Sequence, residues 1–409
     1  MRSGMGRYAR IGWAVLMLFQ AGAAMATEVP TSVNSRFQAF LVELRAEAIR
    51  KHIPAAVFDR ATAGLAPDPL VLALAAAQPE HLKAPRDYLD GLVSDARIEA
   101  GRRQLAVLGK TLAAIETAYG VDRHVLIALW GVESNYGSAM GENSVIRSLA
   151  TLAAEDGRRA SFWRGELFAA FRILERGDIE AERMTGSWAG AMGHTQFMPS
   201  TYIAHAIDFD RDGRRDIWGS AADAVASAAS YLRASGWRAG EPWGFEVVLP
   251  ESFEFALSAP ERAQPSAAWE GLGLRRAGGA MWPQCHSDLQ LVLPAGAQGP
   301  AFLVTANFRA ILRYNPAVAY ALAVGHLADR IAGGAPISGR WPMDDMPLGR
   351  PERKELQRRL VQRGHDTGGI DGIIGDRSRA AIRTYQRSRQ LPEDGYPNHN
   401  LLERLRQED

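Results

Sequence analysis

Between residues 37 and 119 apolar side chains recur three and four apart, as at Leu105, Leu108, Leu112 and Ile115, the spacing of helices that each bury one face. Gly120 reads as a helix stop and Asp122 as the N-cap of the next helix. That next stretch, VLIALWGV (125–132), is apolar all round, so a helix from 123 to about 134 is predicted to lie in the core. Further helices are predicted around 144–156, 161–175 and 222–235. From 243 to about 304 the pattern changes. FEVVLP, FEFAL, LQLVLP and AFLVTA are short β-rich runs split by Pro and Gly, which predict a small sheet inserted in a helical body. Helix returns at 316–331. Residues 333–350, GGAPISGRWPMDDMPLGR, lack periodicity and read as a linker, and a small basic module follows at 351–409. The predicted fold class is mainly α, of the α+β kind.

Composition narrows the function. The 409 residues suit two or three domains, and 47% hydrophobic content is ample for a core. With 47 basic and 46 acidic side chains the formal charge is +1, which provides no general field for nucleic acid, so none is expected as a partner. The N-terminus carries Arg2, Arg7 and Arg10, then an apolar run ending Ala24-Met25-Ala26, the layout of a cleaved secretory signal peptide over 1–26. The run fits a transmembrane span of about 20 apolar residues less well. A lipid anchor would need a cysteine at the cut, and the single cysteine is Cys285. The expected mature chain is therefore soluble, exported (periplasmic) and without a lipid anchor or an internal disulfide.

The candidate chemistry starts at GVESNYG (131–137), where the apolar helix ends in one carboxylate, Glu133. An apolar setting and the negative end of the helix dipole both favour the protonated acid. A carboxylic acid kept protonated near neutrality is what a general acid needs. From the helix alone the alternative stands equally: Glu133 caps a turn or pairs with an arginine. The second segment is SWAGAMGHTQFMPSTY (187–202), which joins Gly190, Ala191 and Gly193 to Gln196, several aromatics and a Pro stop. Such runs let backbone approach a ligand while rings stack on sugar faces.

GVESNYG, AGAMGHTQFMPSTY, DFDRDGRRDIW and RYNPAVAYALAV, in that order over about 39–331, resemble the lytic murein transglycosylases of the B type. The resemblance implies a lysozyme-like, mainly helical catalytic domain (27–332) with a small β subdomain. It also implies cleavage of the β-1,4 bond between N-acetylmuramic acid and N-acetylglucosamine, closing a 1,6-anhydro ring, with Glu133 as sole acid and base and no cofactor required. Most glycosidases use two carboxylates; in this family the substrate's N-acetyl group supports the cationic centre instead. Ser187 and Gln196 match residues of the glycan path, although the tyrosine often found two places before the glutamine is His194 here. Tyr314, Asn315 and Tyr320 match residues near the catalytic glutamate, with core packing on a helix as the alternative for Tyr314. The implied partners are peptidoglycan glycan strands, and the family's setting makes cell-wall synthesis proteins candidates. Two other functions compete: a lysozyme-type hydrolase and a catalytically silent peptidoglycan-binding scaffold.

Two further segments carry expectations. LQRRLVQRG, GGIDGIIGDRSRAAIRTYQ and LPEDGYPNHNLLERL resemble the three-helix peptidoglycan-binding domain, with Gly364 as a helix stop and Asp376 as an N-cap. Arg379, Arg383 and Arg387 recur every four residues, a basic helical face that is either simply solvated or suited to murein carboxylates. DFDRDGRRD (208–216) places oxygens at alternating positions with Gly213 sixth, as in an EF-hand. Asp208, Asp210 and Asp212 would offer carboxylates to a structural Ca2+, and Arg214 its backbone carbonyl. Position twelve is Gly219, so the resembling family's longer loop implies Asp223 as the closing ligand. The alternative is a charged turn in which Arg211, Arg214 and Arg215 neutralise the aspartates.

Overall fold

The computed structural model describes residues 31–77, 83–155, 157, 159–343 and 346–408. The predicted signal segment, 1–26, lies outside them. No helix of the described residues is long and apolar enough to cross a membrane. The chain divides into two compact units, one holding 31–77 and 99–234, the other 83–98 and 235–408.

The first unit is helical. Its centre is the helix Arg123–Ser134, buried at every position from 125 to 132. Its start matches the sequence signals: Gly120 is left-handed at φ 71°, and the Asp122 carboxylate accepts the His124 N–H at 2.7 Å. Helices Val145–Glu155, Ala160–Arg176 and Ala221–Ala234 fall within a residue or two of expectation. Short antiparallel strands Asn143–Ser144 and Thr185–Gly186 join the ends of this helical frame.

The second unit carries an antiparallel four-stranded sheet, in the order Arg275–Arg276, Gly244–Val248, Ala301–Val304, Gln290–Val292. Phe245, Val247, Leu291 and Leu303 pack with Trp269 on one core. FEFAL, expected as a strand, is the 3₁₀ turn Phe255–Ser258. Pro250 and Pro260 bound it, and its amides are spent locally, with Phe253 N–H on the Pro250 carbonyl at 3.1 Å and Leu257 N–H on Glu254 at 3.0 Å. The helix expected from 316 begins at Val318, and an unanticipated helix, Ala306–Tyr314, precedes it. Its signal was present: Thr305 caps it by accepting the Asn307 N–H at 3.0 Å.

The segment expected as a linker is partly tied down. The Glu246 carboxylate on the sheet accepts the Ser338 N–H at 2.9 Å and the Gly339 N–H at 2.6 Å. Beyond it, helices Arg350–Gln362, Asp376–Ser388 and His399–Gln407 close on Leu356, Leu360, Ile382, Tyr385 and Leu402. Gly364, at φ 82°, ends the first helix as expected, whereas Asp376 is the first helical residue and Gly375 takes the cap position. Asp394 of this module accepts the Ala297 N–H of the sheet region at 2.8 Å.

Candidate functional site

The helix bearing Glu133 ends abruptly. Asn135, Tyr136 and Gly137 are all left-handed, at φ 48°, 59° and 86°. Asn and Gly tolerate that conformation; Tyr pays for it and must be held. Three contacts hold the turn. The Ser134 hydroxyl accepts the Gly137 N–H at 3.1 Å and donates to the His194 carbonyl at 2.8 Å. The Tyr136 ring lies over Gly131, where a Cβ would come within 2.6 Å of it. The imidazole of His194 covers Gly137 so closely that a Cβ there would come within 2.1 Å. A side chain at Gly131 or Gly137 would thus displace one of these rings, and Gly137 is favoured by its positive φ as well.

Trp130 completes the brace. Its indole N–H donates to Nδ1 of His194 at 3.0 Å, and its ring meets Tyr136 and His194 edge-on at 5.7 and 5.3 Å. Burial pushes the His194 pKa down, opposed by Asp216. The neutral ring accepting at Nδ1 carries its proton on Nε2. In the sequence His194 stands out only as a departure from the usual tyrosine; its place at the centre of the brace comes from the fold.

Glu133 is half-buried between the buried Val132 and Ser134. Ser187 and Gln196 are brought into the same structure. Gln196, left-handed at φ 50°, donates from Nε2 to the Met140 carbonyl at 2.9 Å and the Gly193 carbonyl at 2.8 Å. Ser187 accepts the Ala191 N–H on its hydroxyl at 3.0 Å, and Met192 bridges both Gly186 and Phe197. The small residues are needed there: a Cβ on Gly186 would come within 2.1 Å of the Ala191 carbonyl oxygen. Tyr314, Asn315 and Tyr320 belong to the other unit. Asn315 is 6% exposed and accepts the Ala317 N–H at 3.1 Å, turning the chain between two helices, while Tyr320 is 1% exposed in that unit's core.

One buried carboxylate with no role predicted from the sequence is Glu166. Burial raises its pKa, and its oxygens accept the N–H and hydroxyl of Ser200 at 2.9 and 2.7 Å. It anchors the start of helix Pro199–His205.

In the acidic loop, carboxylate oxygens of Asp208, Asp210 and Asp212 lie within 4.8 Å of one another. Asp208 Oδ1 is buried with no hydrogen-bond partner among the described residues. An orphaned anionic oxygen among gathered carboxylates fits a hard cation such as Ca2+. Asp223 is not part of that group. It lies fully buried beneath the loop, accepting the N–H groups of Phe209 and Asp216 at 2.8 and 2.9 Å, and burial raises its pKa. Asp216 accepts the Trp218 and Gly219 N–H groups, Arg215 pairs with Asp178, and the Arg214 side chain sits 3.7 Å from Asp212. Among the described residues, then, Arg214 lies beside an aspartate of the loop, whereas Arg215 turns to Asp178.

In the C-terminal module the row of arginines is not a free cationic face. Arg387 pairs with Glu393 at 2.6 Å, and Arg379 and Arg383 are half-buried against Gly395.

This fold and site define the class: the chain belongs to the transglycosylase SLT domain family, which it matches over residues 36–329. Residues 349–405 match the family described as "Putative peptidoglycan binding domain". Among similar proteins, SltB3 from Pseudomonas aeruginosa, solved in complex with NAG-anhNAM-pentapeptide, is 50% identical with a TM-score of 0.87, covering 90% of this chain and 99% of that one. Membrane-bound lytic murein transglycosylase B of Escherichia coli (strain K12) is 34% identical over 221 residues, which span 52% of this chain and 58% of that protein's length. The Escherichia coli lytic transglycosylase SLT35, solved in complex with calcium, is 25% identical with a TM-score of 0.60, covering 73% of this chain and 93% of that one. The expected mainly helical, lysozyme-like class with a small sheet and a helical C-terminal module is the class observed.

Proposed function

We propose that the chain is an exported, periplasmic lytic murein transglycosylase with Glu133 as its single acid and base. The observation that carries this reading is the half-buried Glu133 in the last turn of a helix buried from 125 to 132, on a turn braced by the glycine-rich loop 186–197. Glu133 protonates the glycosidic oxygen as the bond to the muramyl C1 breaks, and the substrate's N-acetyl carbonyl stabilises C1. The Glu133 carboxylate then takes the proton of the muramyl 6-hydroxyl as O6 bonds to C1. Protons and bonds balance without water or a second carboxylate. Ser187, Gln196, Tyr314, Asn315 and Tyr320 are proposed as substrate contacts or supports.

The domain reading is a signal peptide over 1–26, a catalytic domain over 27–332, a linker over 333–350 and a peptidoglycan-binding domain over 351–409. The two family matches support it. Asp208, Asp210, Asp212 and the Arg214 carbonyl would hold a structural Ca2+, with Asp223 shaping the loop from below; the calcium complex of the SLT35 relative supports this. Mass analysis of products from purified sacculi tests the activity. Anhydromuropeptides are expected; products heavier by one water, with reducing ends, would identify a hydrolase instead.

A further inference from the structure

The second unit holds a cavity of about 510 Å3 that the proposed chemistry does not use. Its volume is that of a small-molecule site. Helix Pro85–Leu92 contributes Arg86 and Asp90, and helix Val318–Ile331 contributes His326 and Arg330. The third wall is chain 336–343, with Arg340 and Trp341. That wall is fixed, because Glu246 grips the Ser338 and Gly339 amides and Gly339 packs so tightly on Pro300 that a Cβ would come within 2.7 Å.

Its charge is one-sided. Three arginines, Arg86, Arg330 and Arg340, line it with a single carboxylate, Asp90, which Arg86 approaches at 3.4 Å. Arg340 is exposed, and no carboxylate pairs with it among the described residues. His326 adds no charge near neutrality: burial and Arg330 push its pKa down to about 4. The remaining surface is apolar, from Leu89, Val93, Ile337 and the Trp341 ring.

Guanidinium forks match carboxylates in a two-pronged geometry, and an indole beside aliphatic side chains suits short alkyl groups. We infer that this cavity binds the free C-terminal carboxylate of a short acidic peptide, with a small aliphatic residue against Trp341. Inorganic anions share the charge but have no use for the apolar wall. The source of such a peptide, the stem carried by murein, rests on the function proposed above; the binding chemistry does not.

Calorimetric titration of the full chain with a sugar-free murein stem pentapeptide tests the inference. Saturable binding is expected, weakened by at least about tenfold when the peptide's C-terminus is amidated or when Arg340→Gln removes one fork. Arg340 is exposed, so the variant should keep the wild-type melting temperature and still cleave stem-free glycan. Equal binding of free acid and amide, or unchanged binding by Arg340→Gln, would overturn the site. Inorganic phosphate competing as strongly as the peptide would reduce it to a generic anion site and reject the peptide assignment. Loss of glycan cleavage by the wild-type chain would reject the enzymatic reading alone and leave peptide binding standing.

Discussion

The indole N–H of Trp130 donates to Nδ1 of His194 at 3.0 Å, joining the helix that ends in Glu133 to the glycine-rich loop. The bond requires an imidazole without a proton on Nδ1, and burial supplies that condition by lowering the pKa. His194→Phe keeps an aromatic ring over Gly137 but leaves the Trp130 donor unmet, at a cost of about 1–3 kcal/mol. A fall in melting temperature by several degrees, together with reduced murein cleavage, is the expected result.

The same histidine sets a pH dependence. Its folded pKa lies below the unfolded value of about 6.5, so the unfolded chain binds the proton first as pH falls. Its stabilising contribution is complete above about pH 6.5 and declines below that, toward the folded pKa. His205, His326 and His365 shift in the same direction and add to this loss between about pH 6.5 and 5. His124, raised by its bond to Asp122, and the buried acids Glu166 and Asp223, raised by burial, oppose it. Denaturant midpoints at pH 7.5 and 5.5 measure this. His194→Phe should show a smaller drop than wild type; equal drops would remove His194 from the account.

Glu133→Gln keeps the shape of the side chain and removes its proton. Release of anhydromuropeptides should fall by at least about a hundredfold, the usual scale of general-acid help. Folding should survive, because an amide is the cheaper group to bury. Retained cleavage would end the assignment.

Calcium at millimolar concentration should raise the melting temperature by mass action. Asp212→Ala should abolish that rise. Asp223→Ala is expected to lower the melting temperature even in chelator, because buried loop N–H groups lose their acceptor. Identical curves with calcium and chelator would leave the loop a turn.

Removing residues 349–409 takes away a module with its own core and should weaken sedimentation with sacculi, while cleavage of short soluble glycans persists. Unchanged pelleting would move the binding role elsewhere.

The sequence by itself determined what depends on neighbours a few positions away. The helix Arg123–Ser134, its Asp122 cap and the Gly120 stop were legible because caps and apolar faces are set within about four residues. Glu133 was legible for the same reason, as one acid at the end of an apolar helix. Local composition misled where chain direction mattered: FEFAL is rich in strand formers, yet two prolines and local hydrogen bonds turn it into a 3₁₀ segment. Tertiary structure decided the rest. Arg387 lost its free charge to Glu393, a partner beyond its own helix. The loop's Asp223 became a buried acceptor rather than one of the gathered carboxylates. His194 found Trp130 across 64 positions of chain. Such pairings depend on which surfaces meet when helices pack, and periodicity specifies that a face is buried without specifying what it is buried against.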